Sequence, residues 1–203
     1  MDEVYGQDQR LRGLLEAWQT GYVLVIAGTP RISAVATFAP SSAFDADDER
    51  AATWHPMPAV PPPAECVPLP LHRLTGTFEQ RLDRRAPTAE TVGFLTDGPA
   101  GPPEIGGWTR FSDGTPTGVT TVPLLMDSWP PPPHRHFGLG GSVVTVDLTV
   151  HWRGRPGNGW HFVWFDSRFL RHGYVEIDGR LWRADGVLVA QSRQLARYTP
   201  PPI

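Results

Sequence analysis

The chain has 203 residues, enough for one large domain or two small ones, with 40% apolar residues and a formal charge of −3. So mild an acidic balance, with 18 basic residues scattered rather than clustered, gives no electrostatic footing for nucleic acid or an anionic membrane as partner. The single cysteine, Cys66, excludes an internal disulfide and a Cys-rich metal site, and fits a reducing compartment.

The N-terminus, Met1 to Tyr5, is acidic and lacks the apolar stretch of a signal peptide. The apolar run Tyr22 to Ala27 is far too short to span a bilayer, so a cytoplasmic protein is expected. Arg10 to Gln19 reads as a short helix weakened by Gly13, Tyr22 to Ala27 as a strand, and Arg31 to Ala39 as a second strand after the turn Gly28-Thr29-Pro30. Residues 41–70 combine the acidic run Asp45 to Glu49 with prolines such as Pro61-Pro62-Pro63, and read as an extended linker, because Pro removes a backbone donor and fixes φ. Residues 71–199 then form the main domain.

In that domain Thr77 to Leu82 and Gly107 to Phe111 are short strand candidates, with a turn at Asp113-Gly114. Thr117 to Trp129 is apolar enough for a buried helix, capped by Thr115 or Thr117, kinked or delayed by Pro123, and ended by Pro130 to Pro133. Val143 to Trp152 alternates: Val144, Val146, Leu148, Val150 and Trp152 share one face, and Thr145, Asp147, Thr149 and His151 the other. Gly159 to Leu170, Tyr174 to Arg183 and Val187 to Tyr198 complete four long strands, the last two joined by Asp185-Gly186. The fold class is α+β, an antiparallel sheet around one apolar helix.

Several polar residues could carry chemistry. Asp127, at the end of the candidate helix among apolar neighbours, is either a general base beside a cavity or a helix-end carboxylate facing water. Thr145 sits on the polar face of its strand, where an ordinary solvent-facing residue is the plain alternative. Gln194 shares parity with the small residues Ala190, Ser192 and Ala196, so it points inward, to orient a water or to serve as a satisfied structural amide. His134 and His136 form an H-x-H pair with no third ligand at a metal-binding spacing, and read as loop histidines; no metal and no cofactor is expected. Gly138 to Gly141 leads into a strand, not the helix a phosphate loop needs, and no G-x-S-x-G elbow is present.

From about Cys66 to Tyr198 the chain resembles the acyl-CoA thioesterase II-like (TesB-like) double-hotdog family. The likeness is carried by Gly107-Trp108-Thr109-Arg110-Phe111, Leu124-Leu125-Met126-Asp127, Val144 to His151, and Asp185 to Gln194. It implies a hotdog fold, with the C-terminal hotdog complete and residues 1–40 a partial N-terminal hotdog whose central helix is missing. It also implies that Asp127, Thr145 and Gln194 together hold the water that attacks an acyl-CoA thioester, and that the uncovered sheet edge favours a homo-oligomer. For Thr145 to meet Asp127, its face must line the cavity, or a bulge must re-aim it. The competing expectation is a catalytically weak acyl-binding or assembly protein on the same fold. A hotdog hydratase is disfavoured, since no Asp here is followed five residues later by His.

Overall fold

Alternating sequence becomes paired strand along most of the C-terminal half. The computed structural model describes residues 54–69 and 79–201, which belong to one compact unit, Ala52–Ile203. The expectations for residues 1–40 lie outside the described residues. Of the strand expected over Thr77 to Leu82, the described part is a 3-10 turn, Glu79–Arg81, and only Leu82 belongs to a strand. The strands are β1 (Val67–Pro68), β2 (Leu82–Ala86), β3 (Glu104–Phe111), β4 (Ser142–Trp152), β5 (His161–Asp166), β6 (Leu170–Arg171), β7 (Tyr174–Arg183) and β8 (Leu188–Thr199). They form one sheet in the order β1-β2-β3-β5-β7-β8-β4, with β6 beside β7, and every pairing is antiparallel. Three one-turn helices punctuate it: α1 (Ala89–Val92), α2 (Val122–Leu125) and α3 (Pro133–Phe137).

Turn chemistry sets the hairpins. β7 and β8 are joined through Gly186, whose φ of 86° is open to glycine at no steric cost. β6 and β7 are joined by His172 and Gly173, with φ of 54° and 78°, the paired left-handed geometry of a two-residue hairpin loop.

The inner face of the sheet packs on α2 and its flanks, with Val122, Leu125 and Met126 against Val163, Ile177 and Leu181. The outer face carries a second, aromatic cluster of Trp108, Phe162 and Trp182 around Cys66. Part of the proline-rich stretch covers this outer cluster. Over 54–69 the chain is broken by a 3-10 turn at Pro63–Glu65, and it is docked rather than free: the indole N–H of Trp108 donates to Pro61 O at 2.8 Å, Arg85 Nη1 donates to Pro63 O at 3.0 Å, and β1 pairs with β2.

The helix expected over Thr117 to Trp129 shrinks to the four residues of α2. Pro123 lies in its first turn, so helical hydrogen bonding starts late. Neither Thr115 nor Thr117 caps it; Thr121 Oγ1 instead bonds the main chain of Gly118. α2 ends at Leu125, five residues before Pro130, so the proline run does not set its end; Pro133 instead opens α3, where the first-turn N–H it lacks is not needed. His134 and His136 therefore sit on a helical turn, not in a loop, and their Nδ1 atoms lie 3.1 and 3.2 Å from the carbonyls of Gly138 and Gly101. Among the described residues no helix is long and apolar enough to cross a membrane.

His161 on β5 is fully buried, its Nδ1 3.1 Å from Gly159 O. Burial pushes its pKa below the ordinary histidine value, and burial does the same at His134. A base held neutral in the fold binds more protons when unfolded, so stability is lost as pH falls below about 6.5. Denaturant titrations from pH 8 to 5 are expected to show the midpoint dropping below that value. His161→Asn, whose side-chain amide can replace the Nδ1 donor, is expected to flatten the drop; equal slopes in both proteins would contradict this assignment.

Candidate active site

Asp127 follows directly on α2. The N–H groups of Asp127 and Ser128 bond Leu124 O at 3.2 Å and Leu125 O at 3.4 Å, which tightens the end of the turn. Ser128 Oγ adds a bond to Leu125 O at 2.8 Å, and the buried Arg84 on β2 donates through Nη1 to Ser128 O. Two glycines let this segment lie close on the sheet. A Cβ at Gly179 of β7 would come within 2.8 Å of Met126 Cε, and one at Gly107 of β3 within 2.6 Å of Trp129 Cη2. Asp178-Gly179 looks like a turn dipeptide, yet it lies in mid-strand, where the missing side chain makes room for Met126.

Gln194 lies on the inner face of β8 with Ser192 and Ala196, as its parity requires, and is only 7% exposed. Its side-chain amide bridges two groups far away in the chain. Nε2 donates to Asp127 Oδ1 at 3.0 Å and to Thr145 Oγ1 at 2.5 Å. The amide orientation follows from chemistry: an ionised carboxylate only accepts, so the –NH₂ side must face it. Both amide protons are then used, and Thr145 keeps its own hydroxyl proton to donate. Asp127 Oδ2 has no protein hydrogen-bond partner among the described residues.

Thr145 reaches this cluster through a bulge. On β4 the register runs Val144↔Arg197 and Thr145↔Ala196, then skips to Asp147↔Leu195 and Leu148↔Gln194, which leaves Val146 unpaired. Directly opposed residues share a face. Ala196 and Gln194 point inward, so Thr145 and Leu148 do too, although they lie three apart. The extra residue reverses the alternation midway along the strand. The face grouping expected from the sequence is corrected accordingly: Val144 and Val146 do not join Leu148 and Val150, but lie 61% and 58% exposed. The tension between Thr145 and the apolar face is thereby removed.

Asp127 keeps an open side to solvent, but the surrounding protein desolvates its carboxyl group. Burial raises its pKa above the ordinary carboxylate value, and the Gln194 hydrogen bond offsets part of that rise. The arrangement is therefore a raised-pKa carboxylate with one oxygen anchored and one available, beside a hydroxyl that can donate. Such a group can hold a water and take its proton. Arg84 and Ser128 are two further residues of the site without a local signature; the alternation Leu82, Arg84, Ala86 places the arginine on the inner face, but a charged run, Asp83-Arg84-Arg85, hides a five-residue strand.

The family model of the acyl-CoA thioesterase C-terminal domain matches residues 30–198. Among solved structures, a proposed thioesterase II from Thermobifida fusca YX is 28% identical, with a TM-score of 0.66 over 81% of this chain and 60% of that one. A conserved hot dog fold protein of unknown function from Alicyclobacillus acidocaldarius, 21% identical, superposes with a TM-score of 0.71 over 89% of this chain and 67% of that one. A proposed thioesterase from Novosphingobium aromaticivorans, 20% identical, gives 0.59 over 75% and 57%. The likeness to the Alicyclobacillus protein establishes the hotdog fold, and the chain spans only about three fifths of the length of the Thermobifida protein. No curated protein matches the chain. With most of its length matched by that family's model, the chain belongs to the acyl-CoA thioesterase C-terminal domain family.

Proposed function

We propose that this protein hydrolyses acyl-CoA thioesters to free acid and CoA through a water held by Asp127, Thr145 and Gln194. The observation that carries the reading is the bridge made by Gln194, 3.0 Å from the Asp127 carboxylate and 2.5 Å from the Thr145 hydroxyl, across chain separations of 67 and 49 residues. Family membership supplies the thioester as substrate class. The water oxygen attacks the thioester carbonyl as Asp127 takes its proton. The tetrahedral intermediate then collapses with loss of the CoA thiolate, a good leaving group, which the proton held by Asp127 can neutralise. Thr145 and Gln194 supply position, which lowers the barrier because the reactants need not be oriented during the step. A carboxylate with a raised pKa is the better base for this work near neutral pH.

The test is thiol release over a panel of acyl-CoAs of rising chain length. Release above the buffer blank for at least one chain length is expected; release equal to the blank for every one would leave the acyl-binding alternative in place. The bulge gives a finer prediction. Deleting Val146 restores an unbroken register with β8, and either Thr145 or the stretch from Leu148 to Trp152 must turn over. The longer, partly buried stretch is held by three inward side chains, so Thr145 is the group expected to leave. Turnover is expected to fall about 10- to 100-fold with the circular dichroism spectrum unchanged, and Thr145→Val to fall in the same direction by less. Full activity in the deletion variant would show that the Thr145 hydroxyl plays no part.

A further inference from the structure

Arg84 occupies a position that an apolar residue would fill at lower cost. It lies on the inner face of β2 between Leu82 and Ala86, and it is 3% exposed. Burying a guanidinium carries a desolvation penalty that only well-made hydrogen bonds offset. Its Nη1 donates across 44 residues of chain to the carbonyl oxygen of Ser128, which is itself buried. Ser128 is the residue directly after Asp127.

The turn that carries Asp127 needs such a hold. α2 has four residues, no side-chain cap at its start and a proline in its first turn. One turn of helix has too few internal hydrogen bonds to resist fraying. Its last carbonyls are the atoms that an arginine near a helix C-terminus satisfies. The Nη1 bond to Ser128 O and the Ser128 Oγ bond to Leu125 O fix the main chain on the C-terminal side of Asp127. The carboxylate must be held there to meet Gln194 at 3.0 Å. Burial raises the pKa of the Asp127 carboxyl and the Gln194 hydrogen bond lowers it in part.

We propose that Arg84 is a positioning residue that clamps the main chain beside Asp127 and so sets the geometry of the Asp127–Gln194–Thr145 cluster. The proposal rests on the hydrolase reading above for its kinetic consequence, but not for its structural one.

Arg84→Lys and Arg84→Met test it. Arg84→Lys keeps the charge but replaces the planar fork with a shorter, freely rotating ammonium. Per folded molecule, kcat is expected to fall at least tenfold in Arg84→Met and less in Arg84→Lys, because the conservative variant rescues part of the hold. KM is expected to stay within twofold, and the acid limb of the pH profile is expected not to move, since the Arg84 bond is made to the main-chain oxygen of Ser128 and not to the Asp127 carboxyl group. Amide hydrogen exchange at Asp127 and Ser128 is expected to accelerate at least tenfold relative to amides in β7 and β8. If Arg84→Met does not fold, Arg84→Lys carries both measurements. A folded Arg84→Lys with kcat within twofold of the parent and unchanged exchange at Asp127 and Ser128 would overturn the proposal. So would a fall in melting temperature with kcat per folded molecule intact, the pattern of a merely structural residue. A parent protein inactive on every acyl-CoA would sink the hydrolase reading alone, and the exchange measurement would still decide the clamp.

Discussion

Asp127→Asn is expected to lower thiol release by about 10²- to 10⁴-fold, the range that general-base catalysis contributes, without loss of fold. The substitution keeps size and shape, and an Asn oriented with its carbonyl toward Gln194 still accepts the Nε2 hydrogen bond now made to Oδ1. What disappears is the basic oxygen. The stability consequence has a definite sign. Burial raises the Asp127 pKa in the folded chain, so the fold favours the protonated carboxyl. The stability this lends is fully present below the unfolded pKa of about 3.9 and is lost as pH rises through the folded value. At neutral pH the ionised group is therefore a burden, and the neutral Asn is expected to melt at the same temperature or higher. In the parent, kcat/KM is expected to fall on acidification at a pH above the ordinary carboxylate range, and in Asp127→Asn that limb vanishes with the activity. Assays and thermal melts on the two proteins suffice; a variant retaining more than a tenth of parental turnover would remove Asp127 from the chemistry.

Gly107→Ala is expected to have the largest effect on stability. A Cβ at this position would run into the main-chain carbonyl of Arg85 on the neighbouring strand and lie 2.6 Å from Trp129 Cη2. A flexible side chain can retreat from such a contact, but backbone within a paired strand and a buried indole cannot. Overpacking of this kind costs about 3 kcal/mol or more, which for a domain of this size lowers the melting temperature by roughly 10 °C. Activity should fall further than stability alone predicts, because Trp129 lies two residues from Asp127. Gly118→Ala is the control: a Cβ there meets nothing within 4 Å, and its φ is not in the left-handed region. It is expected to stay within about 0.5 kcal/mol of the parent. Similar melting temperatures for the two variants would contradict the close approach of Trp129.

Much of the architecture was legible because it is local. The alternation of Val143 to Trp152, the turn at Asp185-Gly186 and the parity of Gln194 are all written in residues a few positions apart, and β4, β7 and β8 follow them. The resemblance to the thioesterase family was likewise readable, and the family model matching residues 30–198 bears that resemblance out. The length of the buried helix was not. Apolar content over Thr117 to Trp129 specifies burial but not helix, and with Pro123 in its first turn only one turn, Val122–Leu125, forms. β2 was also missed, because Asp83-Arg84-Arg85 reads as a solvated charge run until Arg84 is seen to point inward.

The sequence by itself determined that β4, β7 and β8 are long strands, which side of β8 carries Gln194, and the family to which the chain belongs. The tertiary structure decided that β4 reverses its faces at Val146, that Gly179 and Gly107 are sites of close approach, and that Arg84 reaches the residue beside Asp127. The physical reason is range. A strand's period is set by its own side chains, whereas a bulge exists only relative to the partner that skips a residue. A glycine's missing Cβ matters only where a distant side chain fills its place.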